Sequence, residues 1–258
     1  MRRIGVCTAV LAVLALVACL VPLAPAQDKD VDVGWVHAFT VKPGMTKQFE
    51  EGRKRHMDWH RKQNDSWSWQ LWEVMTGEGT GSYISITFGH SWKDLDAWEA
   101  KLGDTDTVDS NVNMMPYLGG ETSSLWMVMR DWSHPSSMTE SPKMAEVNHF
   151  LLKPGTEEDF DDAVKKINQA IVKSDWPVHY TWFQLQDGGE GPHYVLSVEM
   201  KGWADLAEPN PSFGAMLEKA MGKHDAEALQ HALDHTIQRE WTETIRYRPE
   251  LSYEPAAK

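Results

Sequence analysis

The sequence VHAFTVKPG at residues 36–44 recurs as VNHFLLKPG at residues 147–155. Both stretches belong to a longer alignment without gaps, in which residues 36–95 pair with residues 147–206 at a constant offset of 111. Thirteen of the sixty pairs are identical. A fixed period without gaps indicates that one folding unit is present twice, so differences between the two copies show where one of them was altered.

Both copies predict the same order of elements. Residues 34–41 and 146–152 carry strand-forming side chains and end at Lys-Pro-Gly, where Pro and Gly mark a turn. Helical periodicity follows over residues 46–63 and 156–173. Later strands are predicted over residues 67–74, 82–88 and 124–131 in the first copy and over 178–185, 193–199 and 241–248 in the second, with further helices beginning at Trp92 and Trp203.

The order β-α-β-β-α-β is therefore predicted twice. It is the ferredoxin-like split motif, in which two helices cover one face of a four-stranded antiparallel sheet. The copies differ before their last strand, where residues 103–123, rich in Asp, Asn and Gly, predict a loop and residues 213–239 predict an extra helix. The predicted division is a signal peptide over 1–26, linkers over 27–33 and 133–144, ferredoxin-like repeats over 34–132 and 145–249, and a C-terminal tail over 250–258.

The N-terminus has the features of an export signal. A basic Met1-Arg2-Arg3 precedes an apolar run over residues 4–23 and the small-x-small sequence Ala24-Pro25-Ala26. We therefore expect an exported protein, periplasmic or secreted. Two alternatives stay open: about 20 apolar residues can also remain as a membrane anchor, and the sequence before Cys19 resembles a lipobox, which would leave that cysteine lipidated.

Composition excludes several classes of protein. Cys7 and Cys19 both lie in the export signal, so the mature chain is expected to lack disulfides and catalytic thiolates. Removal of Arg2 and Arg3 moves the formal net charge from −13 to −15. Such an acidic chain is a poor partner for nucleic acid or for anionic membrane surfaces. We expect a small-molecule ligand, no nucleic acid and no membrane after cleavage, and leave a homo-oligomer open.

The chain resembles the dimeric α/β-barrel superfamily, which includes antibiotic-biosynthesis monooxygenases, NIPSNAP-like proteins, haem-degrading monooxygenases and chlorite dismutases. The strand-Lys-Pro-Gly-helix opening with Phe39 to Phe49 and Phe150 to Phe160, and the element order, carry this resemblance. It implies an α+β fold in which the two repeats pack sheet to sheet as an intramolecular barrel. It also implies a site between sheet and helices, lined by aromatic and a few polar side chains. Members differ in chemistry, so the fold does not supply a function.

The first helix differs between the repeats along one face. The second repeat has an apolar stripe at i, i+4, i+7 and i+11, formed by Phe160, Val164, Ile167 and Ile171. The matching residues of the first repeat are Phe49, Arg53, His56 and His60. Burial of unpartnered polar groups costs several kcal/mol, so these side chains require partners, a water-filled cavity or a ligand. Alternatively, the first helix is rotated or partly exposed, with Met57 and Trp59 taking over the packing.

Aromatic residues near this helix favour a cavity. The chain has 13 tryptophans, and such large rings need large buried spaces. His37 and Phe39 share one face of the first strand, Trp67 and Trp69 share one face of the second, and Trp72 lies on its other face. The predicted ligand-binding residues are His37, Phe39, Trp67, Trp69 and Trp72.

Whether the chain is an enzyme stays open from sequence. The chemistry that the resemblance implies is cofactor-independent, monooxygenase-like oxidation of a small aromatic or carbonyl compound. His56 or His60 would accept a proton, because imidazole titrates near neutral pH, and Arg53 would stabilise an enolate or phenolate. A non-catalytic binding or interaction module is the alternative.

Neither a metal ion nor another cofactor is assigned from the sequence. His56 and His60 have the i, i+4 spacing of two ligands on one helix face, and His37 could add a third nitrogen. Position 57 is Met rather than the Glu of a zinc-protease motif, so zinc hydrolysis has little support. Haem bound through His56 or His60 is a further, less favoured alternative. A second group, His224, His231 and His235, lies on the extra helix, where His231 points away from the apolar side, and a solvated face is expected.

Overall fold

The computed structural model describes residues 32–135, here called the first half, and residues 142–255, the second half. The first half contains β1 (Val33–Val41), α1 (Thr46–Lys62), β2 (Gln70–Val74), β3 (Tyr83–His90), α2 (Trp92–Trp98), α3 (Asp104–Asn113) and β4 (Leu118–Val128). The second half contains β5 (Met144–Leu152), α4 (Glu157–Ser174), β6 (Tyr180–Asp187), β7 (His193–Met200), α5 (Phe213–Met221), α6 (Lys223–Thr236) and β8 (Ile237–Tyr247).

The strands form one closed antiparallel barrel in the order β1-β3-β2-β8-β5-β7-β6-β4. The first half contributes the run β4-β1-β3-β2, and the second half contributes β8-β5-β7-β6. Two seams join the runs: Trp72 pairs with Tyr247 across β2 and β8, and Val128 pairs with Phe183 across β4 and β6. The fold is α+β, and closure leaves the barrel no unpaired strand edge.

Successive side chains of each strand point alternately into and out of the barrel. The interior core contains apolar residues from both halves: Trp72, Val74, Ala145, Val147, Val195 and Ile245. The outward-facing residues pack against helices. In the first half Phe39 and Tyr83 pack on Phe49 of α1, and in the second half Phe150 packs on Phe160 of α4. The helices therefore lie outside the barrel, over their own part of the sheet.

The loop predicted over residues 103–123 is wrong, because most of this segment is regular structure. A π-helical turn, Glu99–Gly103, continues α2 into α3, and β4 begins at Leu118. None of the residues of α3 is buried, and Val108 and Val112 are exposed. The apolar periodicity that would have predicted a helix is therefore missing, and Asp and Asn side chains compete with the helical backbone.

Other boundaries also differ from the sequence predictions. At Trp203 the chain forms only a 3-10 turn, and the predicted helix over 213–239 is two helices separated by Gly222, whose φ of 88° favours glycine. β8 begins at Ile237 rather than at 241. β2 begins at Gln70 rather than at 67, although Trp69 forms an isolated bridge with Tyr253.

The predicted C-terminal tail packs against the first half. Leu251 and Tyr253 are buried, and the amide of Tyr253 donates to the carbonyl of Trp69 at 3.0 Å. The predicted signal peptide, most of the first linker, the middle of the second linker and the last three residues lie outside the described residues. Within residues 32–135 and 142–255, no helix combines the length and the apolar character needed to cross a bilayer.

Candidate functional site

A cavity of about 360 Å³ lies outside the barrel, between the outer face of β1 and the helices α1 and α3. Large rings line one part of it: Trp35, Phe39, Trp69 and Trp98. Ionisable and hydroxyl side chains line much of the remainder: His37, Arg53, His56, His60, Ser85, Glu99, Asp106, Thr107, Ser110 and Glu121. An aromatic surface thus faces a cluster of charged and hydrogen-bonding groups across a small space.

The polar stripe of α1 is buried. Arg53, His56 and His60 are 2%, 3% and 1% exposed, and all three line the cavity. The alternative in which a rotated helix leaves them in solvent is wrong. Met57 is also buried, but it packs beside the stripe and does not replace it.

Arg53 keeps its charge inside the protein. Its Nε donates to the carbonyl of Leu251 at 3.1 Å, and its Nη2 donates to Oγ of Ser85 at 2.9 Å. Burial lowers the pKa of Arg53 to about 9, against the attraction of Asp106. The guanidinium is therefore still cationic at neutral pH, and both of these hydrogen-bond acceptors are neutral.

His60 is held in one orientation by Asp65. Its Nδ1 lies 2.9 Å from Oδ2 of Asp65, which also accepts a bond from Nε1 of Trp69 at 3.0 Å. Burial by itself raises the pKa of Asp65, but hydrogen bonds from His60, Trp69 and the amide of Trp67 outweigh it, and the pKa is lowered. An ionised Asp65 requires a proton on Nδ1 of His60, so the other ring nitrogen, Nε2, is an unprotonated acceptor.

His56 is held in the same way by α3. Its Nδ1 lies 2.8 Å from Oδ2 of Asp109, which also accepts from Nδ2 of Asn113 at 3.1 Å. Burial, followed by repulsion from His60 and Arg53, lowers the pKa of His56 well below its usual value. Burial also lowers the pKa of His60, although the bond to Asp65 opposes it. Both imidazoles are therefore neutral at neutral pH.

Asp106 lies between the two imidazoles. Its Oδ1 is 3.5 Å from Nε2 of His56 and 3.4 Å from Nε2 of His60. Among the described residues this oxygen has no hydrogen-bond partner, although it is buried. Burial raises the pKa of Asp106 to about 7, against the pull of Arg53. One ligand atom from each of these residues, here called the His–His–Asp cluster, lies within 4.8 Å of the other two.

A glycine lets α3 approach α1. A Cβ atom on Gly52 would lie 1.9 Å from the carbonyl oxygen of Asn113, a distance that no packed structure tolerates. Nε of Arg55 also donates to Oδ1 of Asn113 at 2.8 Å. The second half has Ala163 at the position that matches Gly52. The close approach brings Asp106 and Asp109, three residues apart on α3, to His56 and His60 on α1.

The predicted ligand-binding residues separate into three groups. His37, Phe39 and Trp69 line the cavity. Trp67 does not line it but stacks on Trp98 behind it, with ring centroids 5.3 Å apart. The prediction for Trp72 requires correction, because this side chain lies in the barrel interior, on the opposite face of β2 from Leu71.

Sequence reasoning missed the carboxylates of the site. Asp65 is the third residue after the end of α1, and Asp106 and Asp109 belong to the segment interpreted as a loop. The i, i+3 spacing of the last two would place them on one helix face if a helix had been predicted there. Trp35 and Trp98, which also line the cavity, carried no distinguishing signal among 13 tryptophans.

No protein-family model matches the chain, and no curated protein matches its sequence. Solved structures do match. A candidate monooxygenase from Lactobacillus acidophilus is 9% identical, with 88% of this chain and 98% of that chain covered and a TM-score of 0.54. An anthrone oxidase-like protein is 10% identical, with 85% and 92% covered and a TM-score of 0.52.

Chlorite dismutase from Candidatus Nitrospira defluvii, in complex with imidazole, is 9% identical, with 85% and 92% covered and a TM-score of 0.50. At such low identity these likenesses describe the fold and not the chemistry. They agree with the closed eight-stranded antiparallel barrel and its outer helices. The chain therefore shares with these proteins the fold that its sequence resemblance implies, a barrel of antiparallel strands with helices packed outside it.

Proposed function

We propose that the chain is a monooxygenase-like enzyme that oxidises a small aromatic or carbonyl compound in the cavity of its first half. The observation that carries the proposal is the pairing of an aromatic wall with a buried cation and two oriented, neutral imidazoles. The names of the similar solved structures, a candidate monooxygenase and an anthrone oxidase-like protein, support the same class.

The cavity suits a small planar substrate. Its volume of about 360 Å³ lies at the lower end of the range for small-molecule sites. Indole and phenyl rings bind a flat ring by stacking or edge contacts, which adds to the apolar area removed from water. Trp35, Phe39 and Trp69 supply such surfaces beside the polar groups of α1.

Arg53 has the position and charge to stabilise an anionic intermediate. Loss of a proton next to a carbonyl or aromatic ring places negative charge on an oxygen, and a fixed cation in a site with little water lowers the energy of that state. We assign this role to Arg53, because its guanidinium is buried and bonds to two neutral acceptors. The proton passes to the His–His–Asp cluster, which offers unprotonated acceptors.

The proposed reaction needs no external reductant. A methylene carbon between carbonyl or aromatic groups is oxidised to a ketone by one O2. One oxygen atom enters the new C=O bond, and the other leaves as water with both hydrogens of the methylene group. The carbon supplies the four electrons that reduce O2, so substrates with an acidic methylene carbon are expected.

Oxygen uptake with a panel of small aromatic ketones and anthrone-like compounds tests the proposal. We expect uptake and 18O from labelled O2 in the product, both lost in Arg53→Gln and kept in Arg61→Gln, which changes an exposed arginine of the same helix. Binding without oxygen uptake would assign the chain to the non-catalytic binding modules. Absence of both binding and uptake would refute the proposal.

Export remains a proposal from the sequence. We propose that residues 1–26 are removed, so that the mature protein begins at Gln27 in the periplasm or outside the cell. Mass spectrometry of the protein from its native host tests this. An intact N-terminus would refute cleavage, and a diacylated Cys19 would establish the lipoprotein alternative.

The duplication and self-association are also proposals. We propose that the two halves are tandem copies of one ferredoxin-like unit. In support, β1 and β5 each have nine residues and start 111 positions apart, and both halves show the same strand order. A profile of related chains that failed to align the halves beyond residues 36–95 would contradict this. Light scattering after gel filtration would decide whether copies of the chain associate.

A further inference from the structure

We infer that His56, His60 and Asp106 bind one divalent first-row transition-metal ion in the cavity of the first half. The inference adds a cofactor to the proposed function and rests on that function only for what the ion does. Binding itself can be measured without a substrate.

The distances fit one shared ion. Two ligand atoms about 2.1 Å from the same metal are about 3.0 Å apart at 90° and about 3.4 Å apart at the tetrahedral angle. Oδ1 of Asp106 lies 3.4 Å from Nε2 of His60 and 3.5 Å from Nε2 of His56. These separations exceed ordinary hydrogen bonds and match the edge of a metal coordination shell. All three ligand atoms lie within 4.8 Å of one another, so side-chain movements that bring the two imidazole nitrogens within reach of the same ion complete the shell.

Both imidazoles are oriented for coordination. The Nδ1 atoms of His60 and His56 bond to Asp65 and Asp109, which leaves each Nε2 lone pair directed at the same region as Asp106. A histidine that binds a metal ordinarily donates its other ring N–H to a carboxylate or carbonyl group, which fixes the tautomer and increases the basicity of the ligand. Each of the two imidazoles has such a carboxylate partner, Asp65 for His60 and Asp109 for His56.

The negative charge around the cluster also favours binding of a cation. Oδ1 of Asp106 is buried without a hydrogen-bond partner among the described residues, and buried polar atoms ordinarily have one. Three carboxylates, from Asp65, Asp106 and Asp109, surround two imidazoles, whereas Arg53 supplies one positive charge. A divalent ion would give Asp106 a partner and balance the remaining charge.

Three protein ligands leave coordination positions free on the cavity side. Two histidines and one carboxylate with open positions form the arrangement that non-haem Fe(II) oxygenases use, so Fe(II) is the ion that agrees with the proposed function. With the ion bound, the imidazoles are ligands, and this role replaces the proton-accepting role that the proposed function gives to the His–His–Asp cluster. Arg53 keeps its proposed role of stabilising the anionic intermediate, because its side chain is not part of the cluster.

The chain offers a matched control. His231 and His235 also stand four residues apart on one helix, with ring centroids 4.3 Å apart. Both are exposed, and they do not belong to the metal-ligand group found among the described residues. A site that needs only an i, i+4 histidine pair would use either pair, whereas the inferred site needs Asp106 as well.

Cobalt titration of the untagged protein, stripped with a chelator, tests the inference. We expect Co2+ to bind with one equivalent, with visible absorption bands of bound cobalt, and the dissociation constant to rise at least about 100-fold in Asp106→Asn and in His60→Gln. The double change His231→Gln with His235→Gln should leave the dissociation constant unchanged. Circular dichroism confirms that each variant is folded, and Asp106→Glu, which keeps a carboxylate, should retain part of the affinity.

The outcomes separate this inference from the proposed function. No cobalt binding at 100-fold molar excess, or binding that Asp106→Asn leaves unchanged, overturns the metal site whatever the enzyme does. Loss of binding in the control double variant overturns it as well. One bound equivalent with no oxygen uptake after Fe(II) loading keeps the metal site and refutes the oxygenase. Full oxygen uptake in the presence of excess chelator keeps the oxygenase and refutes the metal as its cofactor.

Discussion

Helices α1 and α4 occupy matching places on the barrel but bury different kinds of side chain. Both begin their inner face with a phenylalanine, Phe49 or Phe160, that is fully buried on the adjacent sheet. From there α4 continues with Val164 and Ile171 into an apolar core, whereas α1 continues with an arginine and two histidines around a cavity. One half of the barrel fills its outer core, and the other half leaves space and places charges in it.

The difference extends to the neighbouring helices. In the second half, α5 and α6 bury Met216, Leu217 and Ala226 in the core that α4 also lines. In the first half, α3 buries no residue but supplies Asp106 and Asp109 to the imidazoles of α1. The comparison teaches that a site requires changes on both helices, because buried histidines without carboxylates would be costly. The second half is thus assigned to stability, and the first half to the proposed function.

The largest effect is expected when histidines are placed in the second half. Ile167→His with Ile171→His on α4 puts two imidazoles among apolar side chains that offer no carboxylate. We expect the free energy of unfolding to fall by about 3–5 kcal/mol, measured by urea denaturation. The control Ile167→Val with Ile171→Val should cost about 1 kcal/mol per site. A loss no larger than in the control would show that α4 tolerates polar groups and would contradict the comparison.

The reverse exchange should separate stability from activity. Arg53→Val with His56→Ile and His60→Ile gives α1 the aliphatic stripe of α4, removing three buried polar groups but leaving Asp65 and Asp109 with fewer donors. We expect the free energy of unfolding to change by less than about 2 kcal/mol. Cobalt affinity and turnover should fall at least about 100-fold, a loss of about 2.7 kcal/mol, whereas Lys54→Val on the exposed face should leave both unchanged. Unchanged affinity and turnover in the triple variant would mean that the stripe has no role in the site.

Gly52→Ala tests the approach of the two helices. The second half has alanine at this position, but in the first half a Cβ would meet the backbone of Asn113. We expect α3 to move away from α1, with a loss of about 2 kcal/mol in stability and a weaker affinity for cobalt. Ala163→Gly in α4 is the matched control and should cost about 1 kcal/mol through helix propensity without affecting cobalt. Unchanged cobalt affinity in Gly52→Ala would show that Gly52 does not position Asp106.

The smallest expected effect is a pH dependence from the second half. His149 and His193 lie in the barrel interior, where the first half has Ala38 and Ser82. Burial, with added repulsion by His193, lowers the pKa of His149 to about 3, and burial lowers that of His193 to about 4. Because both pKa values are depressed on folding, the unfolded chain takes up protons first, and stability present above about pH 6.5 is lost as the pH falls.

We therefore expect the wild-type free energy of unfolding to decline by about 1 kcal/mol more between pH 6.5 and 6.0, about half from each imidazole, than that of His149→Gln with His193→Gln. Urea denaturation in buffers with chelator measures the difference, since a bound metal would add its own pH dependence. Parallel curves for the two proteins would show that these imidazoles are solvated and do not distinguish the halves.

The strands and the first helices could be predicted because their signal is local. The β1 and β5 strands, each closed by Lys-Pro-Gly, and the periodicity of α1 and α4 follow from turn chemistry and from spacing that the sequence displays directly. The internal alignment also singled out Arg53, His56 and His60, because the second half shows what fills those positions when they are only structural.

The carboxylates of the site could not be predicted in this way. Helix α3 buries nothing, so its stability comes from contacts with α1 that no periodicity displays. Asp106 and Asp109 therefore looked like loop residues, and Asp65 had no partner until the fold placed it beside His60. Trp72 was assigned to the cavity by its residue type, although strand alternation directs it into the barrel.

The most direct test of the account is X-ray diffraction from crystals soaked in Co2+, measured on both sides of the cobalt absorption edge. We expect one anomalous peak, bonded to Nε2 of His56, Nε2 of His60 and the carboxylate of Asp106, with an open position towards Trp35 and Trp69. An empty cluster, or a peak only at His231 and His235, would contradict it.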